Sequence, residues 1–171
     1  MNGIKVIDNF LPEDLFSDIS DFFFSSQFPW YWNEYKVTDN DEDASKITGI
    51  DKLDDFQFIH AFYNFNKPVS NVNIQAFIDA LNMKHIVKAK ANLTVRMKSI
   101  FKYGFHTDVT LDNCKTAIFY MNTNNGFTEF KNGDRIESIA NRMVIFDSSF
   151  LHTGTSCTDS KRRIVLNFNY F

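Results

Sequence analysis

The sequence predicts a mainly β fold, in which an antiparallel barrel or sandwich is backed by helices. Two observations lead to this prediction. From Ala89 onward, six short β-favouring segments follow one another, separated by turn-rich pieces such as NTNNG and KNGD. Before them, two stretches carry apolar residues at helical spacing. We therefore expect a single domain over 1–171, with a helical support region over 1–90 and the β core over 91–171.

The first half of the chain alternates short strands with amphipathic helices. Ile4 and Val6 alternate as a strand does, and Pro12 then occupies a first helical position. The helix predicted there has an apolar face of Leu15, Phe16, Ile19, Phe22 and Phe23. Phe56 to Asn64 alternates as a second strand, and Ser70 is predicted to cap a second helix. Its apolar face holds Ile74, Phe77, Ile78 and Leu81.

An acidic stretch, DNDEDAS, separates these elements. Asp39, Asp41 and Asp43 stand at alternate positions, as ligands do in a calcium-binding loop. The rest of that pattern fails, because Ala44 replaces the required glycine and Ile50 replaces the closing glutamate. A solvated loop is the expected structure, and whether 33–55 closes over a site is left open.

An aromatic group follows the first predicted helix, at Phe28, Trp30, Tyr31 and Trp32. Its simplest interpretation is packing in the core or between helix and loop. The alternative is an apolar lip that contacts a substrate.

The second half consists of the β-favouring segments. They are ANLTVRMKSIF, KTAIFYMN, GFTEF, DRIESI, RMVIFD and RRIVLNFNYF. In the last of them, alternation puts Arg163, Val165 and Asn167 on one face of the strand. Ile164, Leu166 and Phe168 share the other face, which we expect to be the apolar one.

Composition sets the class of protein. The chain has 171 residues, of which 44% are hydrophobic and 23% charged, and its 20 phenylalanines allow a substantial core. Disordered and collagen-like chains are excluded. The formal charge of −3 makes nucleic acid an unlikely partner. The sequence has neither an apolar run long enough to span a bilayer nor a signal-peptide pattern, so we expect a cytoplasmic protein without a membrane partner. Cys114 and Cys157 are expected to be reduced thiols.

Two of the four histidines, together with one aspartate, form a potential metal site. His106 and Asp108 are two residues apart, so in an extended segment both side chains point to one side. His152 follows the strand RMVIFD, and antiparallel pairing would bring it beside them. Two imidazoles and one carboxylate leave positions open on Fe(II), whereas zinc with a bound water is the hydrolytic alternative. His60 and His85 are expected to be a packed and a surface histidine.

Arg163 is the second chemical feature. A guanidinium that faces into a barrel needs an anionic partner, because an unpaired buried charge costs several kcal/mol. The neighbouring predicted strands offer no obvious acid, so a ligand carboxylate is a reasonable partner. The alternative is a surface cluster with Lys161 and Arg162.

Five pieces in order, FHTD, TAIFYMN, GFTEF, NRMVIFDSSFLH and RRIVLNFNYF, resemble the iron(II)- and 2-oxoglutarate-dependent dioxygenases of the prolyl 4-hydroxylase-like branch. The opening KVIDNFLPEDL and the segment FPWYWN look like small hydroxylases of marine phages and bacteria. The resemblance implies a double-stranded β-helix (jelly-roll) barrel with the N-terminal helices packed on one sheet. It also implies Fe(II), 2-oxoglutarate and O2, with His106, Asp108 and His152 as the iron ligands.

The resemblance assigns further roles to residues around the cosubstrate. Arg163, rather than Arg162, matches the arginine that binds the distal carboxylate of 2-oxoglutarate. Tyr120 matches a tyrosine that donates a hydrogen bond to the same carboxylate, and Asn167 would point toward the cosubstrate. The family often has a Gly-Gly-Glu-Thr run where this chain has NGFTEF with the single Gly126, and the interval between the metal ligands is short.

The implied activity is hydroxylation of a substrate C–H bond, in the first place of a prolyl residue in a peptide or protein, with release of succinate and CO2. A free small molecule or a nucleobase is an alternative substrate. A non-catalytic jelly-roll module that binds a metal or small acid, and a zinc hydrolase, are alternative functions.

A basic strip precedes the metal-ligand motif, at Lys84, Lys88, Lys90, Arg96 and Lys98. Such a strip would serve a nucleic-acid partner. We predict instead that it is the solvated face of a strand.

Overall fold

The computed structural model describes residues 3–34, 36 and 54–171. The predicted acidic loop therefore lies almost entirely outside the described residues. Two helices are present in the described part, α1 (Glu13–Phe24) and α2 (Gln75–Leu81). The strands are β1 (Lys5–Ile7), β2 (Tyr31–Asn33), β3 (Gln57–Asn64), β4 (Lys67–Pro68), β5 (Ile86–Val95), β6 (Lys115–Tyr120), β7 (Phe127–Phe130), β8 (Arg135–Glu137), β9 (Arg142–Asp147), β10 (His152–Gly154) and β11 (Arg162–Tyr170).

The strands form two antiparallel sheets. The larger sheet has the order β1-β9-β6-β11-β5-β3-β2, with β4 paired to β3, and the smaller has the order β10-β7-β8. Segment 101–106 extends the smaller sheet, because it bridges to β10 at Lys102↔Thr155 and His106↔His152. The predicted mainly β, antiparallel architecture is confirmed. Strands β1 to β4 belong to the larger sheet, so the region over 1–90 supplies strands as well as helices.

Strand β6 lies between two apolar clusters and shows how both faces of the larger sheet are covered. Phe119 belongs to a cluster on the helix side, where its ring centroid lies 6.0 Å from that of Phe16 in α1 and 4.9 Å from that of Phe77 in α2. The adjacent Ile118 and Tyr120 belong to a second cluster with residues of β7, β8 and β9. Alternate residues of this one strand therefore pack into two different apolar clusters. Burial of a phenylalanine such as Phe119 contributes roughly 1.5–3 kcal/mol to folding.

The predicted cap of the second helix is wrong. Helix α2 is preceded by Ile74 at the N-cap, which makes no side-chain capping bond. The Ser70 hydroxyl lies 2.6 Å from Nε2 of His60 and accepts a hydrogen bond from the Val72 amide. The helix begins several residues after Ser70, and the hydroxyl instead closes a local turn against a buried histidine.

The aromatic group after α1 divides into two pairs. Phe28 is buried and stacks on Phe23 at 4.2 Å between ring centroids, and Trp30 packs against Phe28 at 4.6 Å. Tyr31 and Trp32 are about 60% and 59% exposed on β2. The first pair therefore packs in the core, and the interpretation of the second pair as a substrate lip stays a prediction.

Neither helix within the described residues has the length and apolar character that crossing a bilayer would require.

Candidate functional site

Two histidines from segments that are adjacent in space are held beside each other by their own backbones. The amide of His106 donates to the carbonyl of His152 at 2.9 Å, and the amide of His152 donates back at 3.0 Å. Residues that form such a pair project their side chains to the same side of the sheet. The two ring centroids accordingly lie 4.8 Å apart.

Both imidazoles are also held in one tautomer. Nδ1 of His106 lies 3.0 Å from the carbonyl oxygen of Gly104, and Nδ1 of His152 lies 3.0 Å from that of Phe150. A carbonyl oxygen only accepts, so each Nδ1 carries the proton and donates it. In the neutral rings each Nε2 therefore presents a lone pair, as a metal ligand must.

Asp108 completes the group. One carboxylate oxygen lies 3.9 Å from Nε2 of His106, and the other lies 3.9 Å from Nε2 of His152. Burial raises the pKa of Asp108, but the two histidines and Lys90 together hold it below its ordinary value. Burial lowers the pKa of His152, which favours the neutral ring. At neutral pH the Asp108 carboxylate is therefore anionic and the His152 ring neutral.

The structure brings together the three residues that the sequence selects for metal binding. Their ligand atoms all lie within 4.8 Å of one another, and within the described residues no other group of three His, Cys, Asp or Glu side chains does the same. His60 is occupied elsewhere, because its Nδ1 lies 2.7 Å from the carbonyl oxygen of Pro29. Three ligands on one side leave further coordination positions open toward the interior of the barrel.

A cavity of about 80 Å³ adjoins the two imidazoles. Strands β5 and β11 form one wall, in which Arg163 pairs with Thr94 and Asn167 pairs with Lys90. The predicted alternation of β11 holds, because Arg163, Val165 and Asn167 line the cavity whereas Ile164, Leu166 and Phe168 lie in the core. The lining residues are Lys36, Gln57, Lys90, Asn92, Thr94, Tyr103, His106, Ile118, Thr128, His152, Gly154, Arg163, Val165 and Asn167.

Arg163 lies in this wall as a buried cation, and the described part of the chain gives it no anionic partner. It is 5% exposed, its Nε donates to the Ser138 hydroxyl at 2.8 Å, and one terminal nitrogen lies 3.5 Å from Oγ1 of Thr128. Among the described residues no carboxylate forms an ion pair with it. Burial lowers the pKa of the guanidinium, and Tyr120 and Tyr103 only partly offset the effect. Such a charge is costly unless a ligand neutralises it.

Three buried polar atoms around the cavity have no hydrogen-bond partner in the described part of the chain. They are the Tyr103 hydroxyl, Oδ1 of Asn92 and Oδ1 of Asn167. Buried polar groups in native proteins are nearly always satisfied, so three unsatisfied atoms at one cavity indicate a polar ligand.

Tyr120 lies behind the cavity wall. Its hydroxyl donates to Oγ1 of Thr128 at 2.7 Å, and the Arg163 guanidinium carbon lies 5.5 Å from the centroid of its ring. The residue does not line the cavity, whereas Tyr103 does. A direct contact between Tyr120 and a cosubstrate stays a prediction, and Thr128 lies between the tyrosine and the cavity.

Sequence reasoning missed Tyr103 and Lys36, two residues that line the cavity and contact each other. Tyr103 precedes His106 on segment 101–106, and Nζ of Lys36 lies 4.4 Å from the centroid of the Tyr103 ring. Burial lowers the pKa of Lys36 to about 8. The position of Tyr103 three residues before a metal ligand was the one available signal, while nothing near Lys36 in the sequence links it to the site.

Gly126 has no room for a side chain, because Arg163 lies against it. A Cβ there would lie 2.8 Å from Cδ of Arg163 and 2.8 Å from the carbonyl oxygen of Ser156. We expect Gly126→Ala to destabilise the protein by about 1–3 kcal/mol through overpacking, which corresponds to a fall in Tm of roughly 3–10 °C. Thermal unfolding followed by circular dichroism measures this change.

Gly154→Ala is the matched control, since its Cβ would be 3.7 Å from the nearest Arg163 atom, an ordinary contact. It should change Tm by much less than Gly126→Ala. Equal effects of the two substitutions would mean that the packing of Arg163 does not require Gly126.

Neither the known family models nor the curated proteins match this sequence. Solved structures do match the fold. A 2OG-Fe(II) oxygenase family oxidoreductase from Burkholderia pseudomallei has a TM-score of 0.63 and 10% identity, over 98% of this chain and 84% of that one. A prolyl-4-hydroxylase from Pseudomonas putida has a TM-score of 0.62 and 14% identity, over 98% of this chain and 92% of that one.

A prolyl hydroxylase from Trichoplax adhaerens, in complex with a peptide fragment of the oxygen degradation domain of hypoxia inducible factor, has a TM-score of 0.63 and 12% identity. The match covers 100% of this chain and 84% of that one. At this level of identity the likeness concerns the path of the chain. The protein has the fold found in 2OG-Fe(II) oxygenases, including prolyl hydroxylases.

Proposed function

We propose that the protein is an Fe(II)- and 2-oxoglutarate-dependent dioxygenase that hydroxylates a substrate C–H bond. One observation carries the proposal: a convergent His-Asp-His group shares one cavity with a buried arginine that no described carboxylate neutralises. The His-Asp-His group is suited to a metal with open coordination positions. The arginine is suited to a carboxylate held at a distance from that metal. A single ligand that contacts both the metal and Arg163 would explain why the two features share one cavity.

The residues fit the groups that this function requires. Two neutral imidazoles and one carboxylate are the donor set of non-haem Fe(II) oxygenases, and they leave positions for a chelating acid and O2. The unpaired guanidinium of Arg163 and the free hydroxyl of Tyr103 are donors for the far carboxylate of 2-oxoglutarate. The cavity of about 80 Å³ has room for several water molecules and so for a small acid.

In the proposed mechanism the residues of the chain bind and orient the metal and the cosubstrate. When bound, iron and 2-oxoglutarate would supply the oxidation of a C–H bond by O2, with succinate and CO2 as the other products. Nε2 of His106, Nε2 of His152 and the Asp108 carboxylate would hold the metal, and the Nδ1 bonds to the backbone would keep both rings aligned. The forked guanidinium of Arg163 would bind the far carboxylate in a bidentate manner.

Three other residues support that arrangement. Tyr103 would donate its hydroxyl proton, which burial retains because it raises the pKa of Tyr103. The hydrogen bond from Tyr120 orients Thr128 beside Arg163, which gives the tyrosine a positioning role. The apolar Ile118 and Val165 exclude water from the middle of the cavity.

A prolyl residue in a peptide or protein is the first substrate class to propose. The support is the fold shared with the prolyl-4-hydroxylase from Pseudomonas putida and with the peptide-bound enzyme from Trichoplax adhaerens. The same fold also occurs, at a TM-score of 0.58 and 10% identity, in the non-heme alpha ketoglutarate dependent epimerase SnoN. A free small molecule is therefore the alternative substrate, and a cytoplasmic location remains part of the proposal.

The test is an anaerobic absorption titration of metal-free protein, first with Fe(II) and then with 2-oxoglutarate. We expect a weak visible charge-transfer band only when both are present, because bidentate chelation of an open iron site produces it. Substituting Zn(II) for Fe(II) is the control and should give no band. Tight metal binding without any band would favour the zinc hydrolase or the non-catalytic module, and would leave the unpaired charge of Arg163 without a ligand.

A further inference from the structure

Lys90 lines the cavity at the opposite end of the wall from Arg163. It shares a face of β5 with Asn92 and Thr94, and it pairs across the sheet with Asn167 of β11. The prediction that this lysine lies on a solvated strand face is wrong for this position. Alternation correctly groups Lys90 with its neighbours two residues away, but their common face is the interior of the barrel.

The Lys90 amine has no close partner in the part of the chain that the structure describes. Among the described residues it makes no hydrogen bond and no ion pair. The Asp108 carboxylate attracts it electrostatically from beyond ion-pair distance. Burial lowers the pKa of Lys90, and the attraction to Asp108 only partly opposes this. The Asp108 carboxylate is also the proposed anionic metal ligand, so it is shared with a stronger cation.

One diacid cannot neutralise both ends of the wall. The paired positions of Arg163 and Lys90 are four residues apart along β5, which is about 13 Å of strand. The two carboxyl carbons of 2-oxoglutarate are joined by four C–C bonds and so lie at most about 6 Å apart. A divalent metal, Asp108, Arg163 and a dianionic acid together carry no net charge. Lys90 then adds a positive charge that nothing in this set offsets, in a cavity where uncompensated charge is costly.

We propose that Lys90 binds an anionic group of the substrate, a carboxylate or a phosphate, and so selects an acidic substrate. This inference rests on the proposed function and names the substrate class for the same cavity. Lys90 lies toward the metal end of the wall, because Asn169, two residues beyond its β11 partner Asn167, has its amide nitrogen 3.5 Å from the Asp108 carboxylate. It would therefore hold the anion close to the carbon that is oxidised. Asn92 and Asn167 flank the lysine with unsatisfied amide oxygens, which would accept from an N–H or O–H beside the anion.

The experiment uses Mn(II)-loaded protein saturated with 2-oxoglutarate and kept free of oxygen. Acetate and methyl phosphate are titrated as anionic probes, and acetamide as the neutral one, with binding measured by calorimetry. We expect one of the anions to bind at least about tenfold more tightly than acetamide, as a charge-assisted contact predicts. The probe that binds more tightly identifies the group as carboxylate or phosphate.

Three variants assign this preference to Lys90. Lys90→Met should abolish it, and Lys90→Arg, which retains the charge, should keep it. Lys67→Met removes a lysine from the exposed strand β4 and should behave as the wild type. Wild-type protein that binds the anions no better than acetamide would overturn the inference, as would a preference that persists in Lys90→Met.

The outcome is separable from the proposed function. If wild-type protein does not bind 2-oxoglutarate in the first step, the proposed function fails. If Lys90→Met weakens 2-oxoglutarate as strongly as it weakens the probes, the lysine serves the cosubstrate and the inference about the substrate is wrong.

Discussion

Asp108→Ala is expected to lower 2-oxoglutarate turnover by on the order of 10³-fold or more. Asp108 supplies the one negative charge among the three ligands, and the loss of several kcal/mol of interaction with a divalent metal corresponds to that factor. Metal affinity should fall in parallel, since two neutral imidazoles remain. Succinate formation and calorimetric Mn(II) binding are the two measurements.

The control is Asp112→Ala, which removes an exposed acid four residues further along the same segment. It should retain wild-type metal affinity and turnover. If Asp108→Ala bound Mn(II) as tightly as Asp112→Ala does, the three convergent side chains would not be the metal site.

Arg163→Met is expected to weaken 2-oxoglutarate binding by about 10²-fold or more and to leave metal affinity unchanged. Truncating one partner of a buried charge pair costs about 2–5 kcal/mol, and Arg163 is the cavity-lining cation that pairs with Thr94 of β5. The variant should remain folded, because methionine replaces a buried charge that none of the described carboxylates neutralises. Calorimetric titration of the Mn(II)-loaded variant with 2-oxoglutarate measures the effect.

Arg162→Met is the matched control, because the adjacent arginine faces the other way. One of its terminal nitrogens donates to the carbonyl oxygen of Phe24 at 2.9 Å, and its guanidinium stacks on the Phe24 ring. Its loss should affect stability and leave 2-oxoglutarate affinity intact. Equal affinities in the two variants would remove the assignment of Arg163 as the carboxylate anchor.

The last strand was predictable because its pattern is complete. In β11, Ile164, Leu166 and Phe168 are apolar, so the strand can only put its alternate residues on a different face. That face includes Arg163 and Asn167, and the structure has both at the cavity. The ligand group was predictable for a related reason, since its three residues lie in short segments whose extended geometry fixes their common side.

The wall formed by β5 was harder to predict. Lys90, Asn92 and Thr94 alternate with alanine and leucine, and polar residues opposite apolar ones usually face solvent. Alternation identifies residues that share a face but does not determine what the face contacts. The interior position follows from pairing with β11 on one side and β3 on the other, which involves residues far apart in sequence.

The role of Ser70 was mistaken because its partner is distant in sequence. A serine a few residues before an apolar helical pattern is a normal cap signal. Here the hydroxyl contacts His60 on β3, and the helix begins without a side-chain cap. A local pattern therefore gave way to a tertiary contact between a turn and a buried ring.

The backbone bridge between His106 and His152 links metal binding to folding. Segment 101–106 is attached to the smaller sheet through a few main-chain bonds, and two of these join the ligand residues themselves. Any local opening that detaches the segment also separates the two imidazoles, so the open state loses the metal site. A bound metal must then suppress that opening by the free energy of its own binding. The same equilibrium makes metal release slow whenever detachment of the segment is rare.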